Sequence, residues 1–393
     1  MKTLNDLKDI NGKLVLLRLD LNVPVDSDGN VTDTTRIDRV RDTVLELKEK
    51  GARIAVLSHF GRPKGEKNMD YSLSFLPSIL IKQWGVDVDF TIDCQSEPTS
   101  DLTLMENVRF YEGEEACDPE FVAKIAGGAG DIFVNDAFSA SHRAHATTEG
   151  LAHALPSYAG LALEAELKAL ESALENPERP VVAIVGGAKI STKLDVLNNL
   201  VSKVDVLVLG GGMANTFLYA AGADLGKSLC EKDMKDQALA IFEKANEVGC
   251  AILLPVDGKA AVEFKANAHY DEVSMTAVPD DRMILDIGSQ SIESIKGVLD
   301  QCKTVVWNGP VGAFEIEPFD NGTNEIAKYA ATKVKSDDLK VIAGGGDTVS
   351  ALAHAGVVDD MTYVSTAGGA FLEWLEGKTL PAIAALEMMD EEE

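Results

Sequence analysis

Arginines, amides and histidines recur at the ends of short apolar runs in the first half of the chain. LVLLRLDLNVP presents Arg18, Asp20 and Asn22, a TTRIDRV segment carries Arg36, VLSHFGRP presents His59 and Arg62, LMENVRF presents Asn107 and Arg109, and VNDAFSASHRAH presents His142, Arg143 and His145. A lone arginine near a turn is usually a solvated surface residue, and a lone histidine a satisfied core one. Recurrence changes that reading. Guanidinium forks pair bidentately with carboxylate and phosphate, so several on one surface suit a small, multiply anionic substrate.

The second half answers with glycine. VVAIVGGAKISTK places Gly186 and Gly187 after an apolar run, followed by Lys189 and Lys193, whose spacing predicts both ammonium groups on one face of a following helix. VLVLGGGMANTF carries Gly211, VIAGGGDTVSAL carries Gly345 and Gly346 with Asp347 and Thr348 opening a helix, and YVSTAGGAFLEWL carries Gly368 and Gly369. Each cluster alone could simply close a tight turn. Together with two lysines and an aspartate they favour a nucleotide polyphosphate with Mg²⁺, because glycine lets backbone N–H groups approach an anion at a helix start. WNGPVGAFE adds Asn308, Pro310 and Glu315, polar groups suited to sugar hydroxyls. The chain has no G-x-x-x-x-G-K-[ST] loop and no G-x-G-x-x-G fingerprint, which weakens a Walker-type or dehydrogenase reading.

The elements that position these residues read as alternating strands and helices, an α/β pattern with parallel sheets. Strands are expected at Leu14 to Leu19, Ile54 to Ser58, Leu102 to Met105 and Asp131 to Asn135. A second set is expected at Val181 to Val185, Val204 to Leu209, Thr304 to Trp307, Lys340 to Ala343 and Tyr363 to Ser365. Between the sets, Leu161 to Leu174 is rich in helix formers, with Leu161, Ala165, Leu167, Leu170 and Leu174 suited to an apolar face. Asn176-Pro177 and Arg179-Pro180 mark its stop and a domain junction.

With 393 residues, the chain exceeds the roughly 250 to 300 at which single cores stop growing, so two domains are expected. Its 36 Lys plus Arg against 64 Asp plus Glu give a net charge of −28, a field that repels nucleic acid and anionic membranes. Residues 1–70 hold 13 basic against 12 acidic side chains, a local balance that sets this stretch apart. Five scattered cysteines without a C-x-x-C pair fit a reducing compartment, and no apolar run reaches the ~20 residues of a membrane span. A cytoplasmic protein is expected, with EMMDEEE as a solvated acidic tail.

Taken in order, RLDLNVP, SHFGRP, ENVRF, NDAF with HRAH, GGAKISTK, GGGMANTF, WNGPVGAFE, GGGDT and STAGGA resemble the blocks of phosphoglycerate kinase over essentially the whole chain. The resemblance implies two doubly wound, Rossmann-like α/β domains joined by a helix and hinge. These are residues 1–170, which bind 3-phosphoglycerate and to which 371–393 return, and residues 178–370, which bind the nucleotide. It implies reversible transfer of the acyl phosphate of 1,3-bisphosphoglycerate to MgADP, with domain closure and a monomeric enzyme. By the same resemblance, Asp20, Asn22, Arg36, His59, Arg62, Arg109 and Arg143 form the acid site. Gly187, Lys193, Gly211, Asn308, Pro310, Glu315, Gly345, Gly346, Asp347 and Thr348 form the nucleotide site, Asp347 being the Mg²⁺ ligand. Arg36, Lys189, Gly346 and Gly369 are implied to be catalytic. Three departures stand out: Ala367 and Ser139 occupy positions where the family usually has glycine, and Met105 one where leucine is frequent. Another small-carboxylate kinase, or a non-catalytic nucleotide-binding protein of the same fold, remains an alternative at this point.

Overall fold

The computed structural model describes residues 1–98, 100–127 and 130–391. Strands β1 (Leu14–Leu19), β2 (Arg53–Leu57), β3 (Asp89–Thr91), β4 (Leu102–Met105), β5 (Ile132–Asp136) and β6 (Ser157–Ala159) form a parallel sheet in the order β3-β4-β2-β1-β5-β6. Every residue of β1 and β5 is buried. Burial on both faces explains why these strands read as continuous apolar runs rather than alternating ones.

A second parallel sheet repeats the plan. It is built from β7 (Val181–Val185), β8 (Val206–Leu209) and β9 (Ala251–Leu253), and from β13 (Thr304–Asn308), β14 (Lys340–Gly344) and β15 (Tyr363–Ser365), in the order β15-β14-β13-β7-β8-β9. Inserted before β13 is a small antiparallel sheet of β10 (Asp257–Ala261), β11 (Tyr270–Ser274) and β12 (Met283–Ile287), with β10 in the centre. It escapes sequence reading because DGKAA and YDEVS contain no apolar block, and β11 is largely exposed. The three-residue strands β3, β6 and β9 also lie outside the sequence expectations. Asp131 falls outside β5 because its carboxylate accepts the Leu14 N–H (2.8 Å).

Met1–Leu167 together with the chain from Thr379 onward forms one compact unit, and Lys168–Lys378 the other. Each has its own core: Val15, Leu17, Val56, Trp84 and Val134 in the first, Val182, Ile184, Trp307, Ile326 and Val341 in the second. The helix Pro381–Glu391 belongs to the first unit, where Ala382 donates to the Ser141 carbonyl (3.2 Å). Of the acidic tail, Glu392 and Glu393 lie outside the described residues, and Met388 is exposed. All five cysteines are free thiols.

The helix Leu161–Leu174 has the expected bounds but a different buried face. Leu163, Leu167, Leu170 and Leu174 are buried at steps of four, three and four, whereas Ala165 is exposed. Its start is capped from β5. Asp136, buried, accepts the Thr43 hydroxyl (2.6 Å) and the Leu163 N–H (2.7 Å). Burial pushes its carboxyl up to about 6 against the pull of those bonds.

A raised carboxyl pKa means that the folded state keeps the proton where the unfolded chain has lost it, so this group's contribution to stability falls as pH rises from about 4 through 6. Asp136→Asn removes that dependence. In urea unfolding, wild-type stability minus variant stability should drop by about 2 to 3 kcal/mol between about pH 4 and pH 7. A flat or rising difference would show that the carboxylate is favoured in its ionised form.

Candidate active site

In open parallel sheets, ligands gather beyond the carboxyl ends of the strands, where the strand order reverses. That reversal lies between β1 and β5 in the first sheet and between β7 and β13 in the second. The residues singled out from sequence follow these strand ends or their neighbours.

In the first unit, β1 leads into Asp20. Its carboxylate takes the Arg36 Nη1 (2.6 Å), the Ser139 hydroxyl and the Asn22 N–H (3.0 Å). Burial opposes ionisation of Asp20, while the Arg36 guanidinium, the Ser139 hydroxyl and the Asn22 amide favour it. Asn22 Oδ1 accepts the Gly61 N–H (3.0 Å) and Arg109 Nη1 donates to the Gly61 carbonyl (2.8 Å), which fixes the turn carrying His59 and Arg62. Arg109 also faces Glu115 (3.3 Å). Burial lowers the pKa of Arg109, Glu115 and Glu114 work against the shift, and Arg143 and Arg62 add to it. Arg62 and Arg143 are exposed, with no ion pair to a carboxylate among the described residues. The surface therefore carries clustered, incompletely neutralised positive charge, as an anion site requires.

Arg18 does not face solvent at the strand tip. It is 1% exposed inside β1, donating Nε to the Thr147 hydroxyl (3.0 Å), Nη1 to the Leu19 carbonyl and Nη2 to His59 Nδ1 (3.1 Å). Buried Glu114 takes both the N–H (3.0 Å) and the hydroxyl (2.6 Å) of Thr147. A guanidinium only donates, so His59 Nδ1 must accept and the ring proton sits on Nε2. Burial, then the Arg18 charge, push the His59 pKa well below its ordinary value, leaving a neutral imidazole.

In the second unit the backbone does most of the work. A Cβ on Gly186 would lie 1.8 Å from the Pro310 carbonyl oxygen, and one on Gly211, whose φ is +68°, would lie 2.7 Å from the Gly187 oxygen. Only glycine permits these approaches. Lys193 Nζ donates to the carbonyls of Gly186 (2.9 Å) and Asn308 (3.0 Å). Burial brings its pKa down to about 8, with Asp347 opposing. Asn308 Nδ2 donates to the Gly344 carbonyl (2.9 Å), while its buried Oδ1 has no donor among the described residues. The Thr348 hydroxyl accepts the Gly309 N–H (2.8 Å) and donates to Gly344 O (2.8 Å). Gly345 takes φ +96° and Gly346 opens the helix Gly346–His354, with Asp347 exposed in its first turn. Gly187, Gly211, Pro310, Glu315 and Asp347 line a cavity of about 260 Å³, walled on other sides by Leu229, Phe264 and Met275.

The expected helical pairing of Lys189 and Lys193 does not occur. Ile190–Thr192 forms a single tight turn and the next helix opens only at Leu194, so Lys189 is exposed on extended backbone while Lys193 folds back onto two carbonyls. Gly369 opens the short helix Gly369–Leu375; the positive φ falls on Gly368 (+49°) rather than on Ala367, so alanine at 367 brings no backbone strain. Ser139 is tied to Asp20, a role its position in the sequence does not reveal. Glu114, Thr147 and the apolar wall were equally hidden, since they meet the site from distant parts of the chain.

A family model described as phosphoglycerate kinase matches residues 4–378. The phosphoglycerate kinase of Rhizobium meliloti (strain 1021) is 58% identical over 394 residues, covering 98% of both chains. That of Chelativorans sp. (strain BNC1) is 57% identical over 395 residues, covering 98% of this chain and 99% of its own. Among solved structures, phosphoglycerate kinase from Coxiella burnetii superposes with a TM-score of 0.93 at 42% identity, over 98% of each chain. Phosphoglycerate kinase from Pyrococcus horikoshii OT3 gives 0.81 at 29% identity, over 100% of each chain.

The Arg18 contact fixes an observable at His59. Long-range ¹H–¹⁵N spectra of the imidazoles should show His59 as the neutral Nε2–H tautomer, without titration between about pH 6 and pH 8. An imidazolium signal for His59 at the lower end of that range would refute the assignment.

Proposed function

The chain belongs to the phosphoglycerate kinase family, and on that premise we propose how its residues divide the work between the two substrates. The protein is a glycolytic enzyme that reversibly transfers the acyl phosphate of 1,3-bisphosphoglycerate to ADP, giving 3-phosphoglycerate and ATP. Neither direction needs a strong base, because the acceptor is an ionised ADP oxygen one way and a carboxylate the other. The protein has to position reactants and stabilise charge on the moving phosphoryl group.

Arg36, Arg62, Arg109 and Arg143 hold the phosphate and carboxylate of the organic acid, with the His59 Nε2–H as a neutral donor and Asp20 and Asn22 as the frame. The incompletely neutralised guanidinium cluster beside β1 and β5 is the observation that carries this reading. Gly187, Gly211, Asn308, Pro310 and Glu315 take the nucleoside end, and Lys193, Gly345, Gly346 and Thr348 the phosphate tail. Asp347 fits a Mg²⁺ arriving with the nucleotide: it is an exposed hard oxygen donor at the cavity wall, and among the described residues no group of three or more His, Cys, Asp or Glu forms a metal cage of its own. Asp347 would hold such an ion, whose charge would offset that of the phosphate tail.

Arg36, Lys189 and the helix starts at Gly346 and Gly369 serve the transferring group. Lys189 is exposed and makes no internal ion pair among the described residues, which leaves its ammonium available to the equatorial oxygens. The residues assigned to the two substrates belong to different compact units, and transfer needs the reacting groups aligned with water excluded.

Purified protein should turn over MgATP and 3-phosphoglycerate in a coupled reductive assay. Arg36→Ala and Lys189→Ala should each lower kcat by ~10² to 10³; undiminished kcat in a folded variant would remove that residue from the transition state. Lys193→Ala should raise the nucleotide KM more than it lowers kcat, because Lys193 shapes the phosphate seat in ground and transition states alike. The opposite split would move it to the chemical step.

A further inference from the structure

Asp286, which lines the cavity in the second unit, is one half of a buried ion pair. Lys259 of β10 approaches Asp286 Oδ2 of β12 at 3.2 Å, their side chains 6% and 0% exposed. The same ammonium donates to the Pro318 carbonyl (2.8 Å) and sits 5.4 Å from the centre of the Tyr270 ring. Asp286 accepts two further donors, the Gly322 N–H (2.8 Å) at the start of the helix Asn321–Lys335 and the Ile287 N–H (2.9 Å). A Cβ on Gly312 or Gly322 would fall 2.2 or 2.4 Å from Asp286 Oδ1, and Ala313 donates to the Leu285 carbonyl (2.8 Å). Segment 310–319 is therefore pinned at Gly312, Ala313 and Pro318, and Glu315 stands between the pins.

Replacing a buried ion pair with apolar residues often costs no stability, so folding energy alone does not account for placing two charges here. What the pair supplies is position, because each charged atom reaches groups on more than one element. We propose that Lys259 and Asp286 are positioning residues for the nucleotide, holding segment 310–319 in one register against β12 and so setting where Glu315 meets the nucleoside. This rests on the assignment of Glu315 to the nucleoside made above.

Burial pushes the Asp286 carboxyl up to about 7 against the pull of Lys259, so the kinetics are run near pH 8, where it is ionised in the unsubstituted protein. Lys259→Met should raise the nucleotide KM about tenfold, leave kcat and the 3-phosphoglycerate KM within about twofold, and lower Tm. Adding Asp286→Asn removes the unpaired carboxylate while keeping one oxygen as acceptor for Gly322 or Ile287, but not for both. Tm should then recover in part while the nucleotide KM stays raised, since the Pro318 contact is still missing. Recovery of the nucleotide KM together with Tm, or an unchanged nucleotide KM in both variants, would overturn the inference. If Lys259→Met does not fold, the double variant decides by the same criterion. Glu315→Gln is the reference: if it raises the nucleotide KM where the Lys259 variants do not, this inference alone fails, and if it too has no effect, the nucleoside assignment fails with it.

Discussion

Several guanidinium groups must be held close together beside β1 and β5 before any ligand arrives, and the first unit is built around that repulsion. Asp20 and Glu114 are the buried carboxylates that make it tolerable, one facing Arg36 at the surface, the other lying near Arg18 beneath it. Neither neutralises the cluster. Arg62 and Arg143 remain exposed, which leaves room for the anion proposed to bind there. In a molecule of net charge −28, such a concentration of positive charge focuses the field on one place.

The second unit solves the opposite problem. A polyphosphate tail is larger and more charged, yet the residues around the β7 and β13 ends are mainly glycines whose backbone is locked by side chains from elsewhere. Lys193 is spent on two carbonyls and Thr348 on two backbone groups, so these polar side chains fix the loops proposed to meet the nucleotide. The Lys259–Asp286 pair extends the same arrangement one layer outward, to the segment carrying Glu315. Preorganised dipoles of this kind stabilise charge without reorganising during the reaction.

Much of the fold was legible from local pattern. The long strands are buried on both faces and announce themselves as apolar runs, while the helix Leu161–Leu174 is marked by composition and by the prolines after it. The differences lie where local pattern is weak: β3, β6 and β9 span three residues each, β10 and β11 are polar and lean on one another, and Ala165 lies off the buried face of its helix.

Residue types and their order along the chain determined the α/β class, the family and the candidate sets at the strand ends, because these depend on short-range periodicity and on motifs complete within a few residues. Tertiary structure decided what each candidate does. It buried Arg18 beneath His59, turned Lys193 back onto Gly186 and Asn308, put the positive φ on Gly368 and not on Ala367, and brought Ser139 to Asp20 and Lys259 to Pro318. Most of those contacts join residues tens to more than a hundred positions apart, where no local spacing foretells which donor will find which acceptor. Buried polar groups must nevertheless be satisfied, and the packing of each unit chooses the partners.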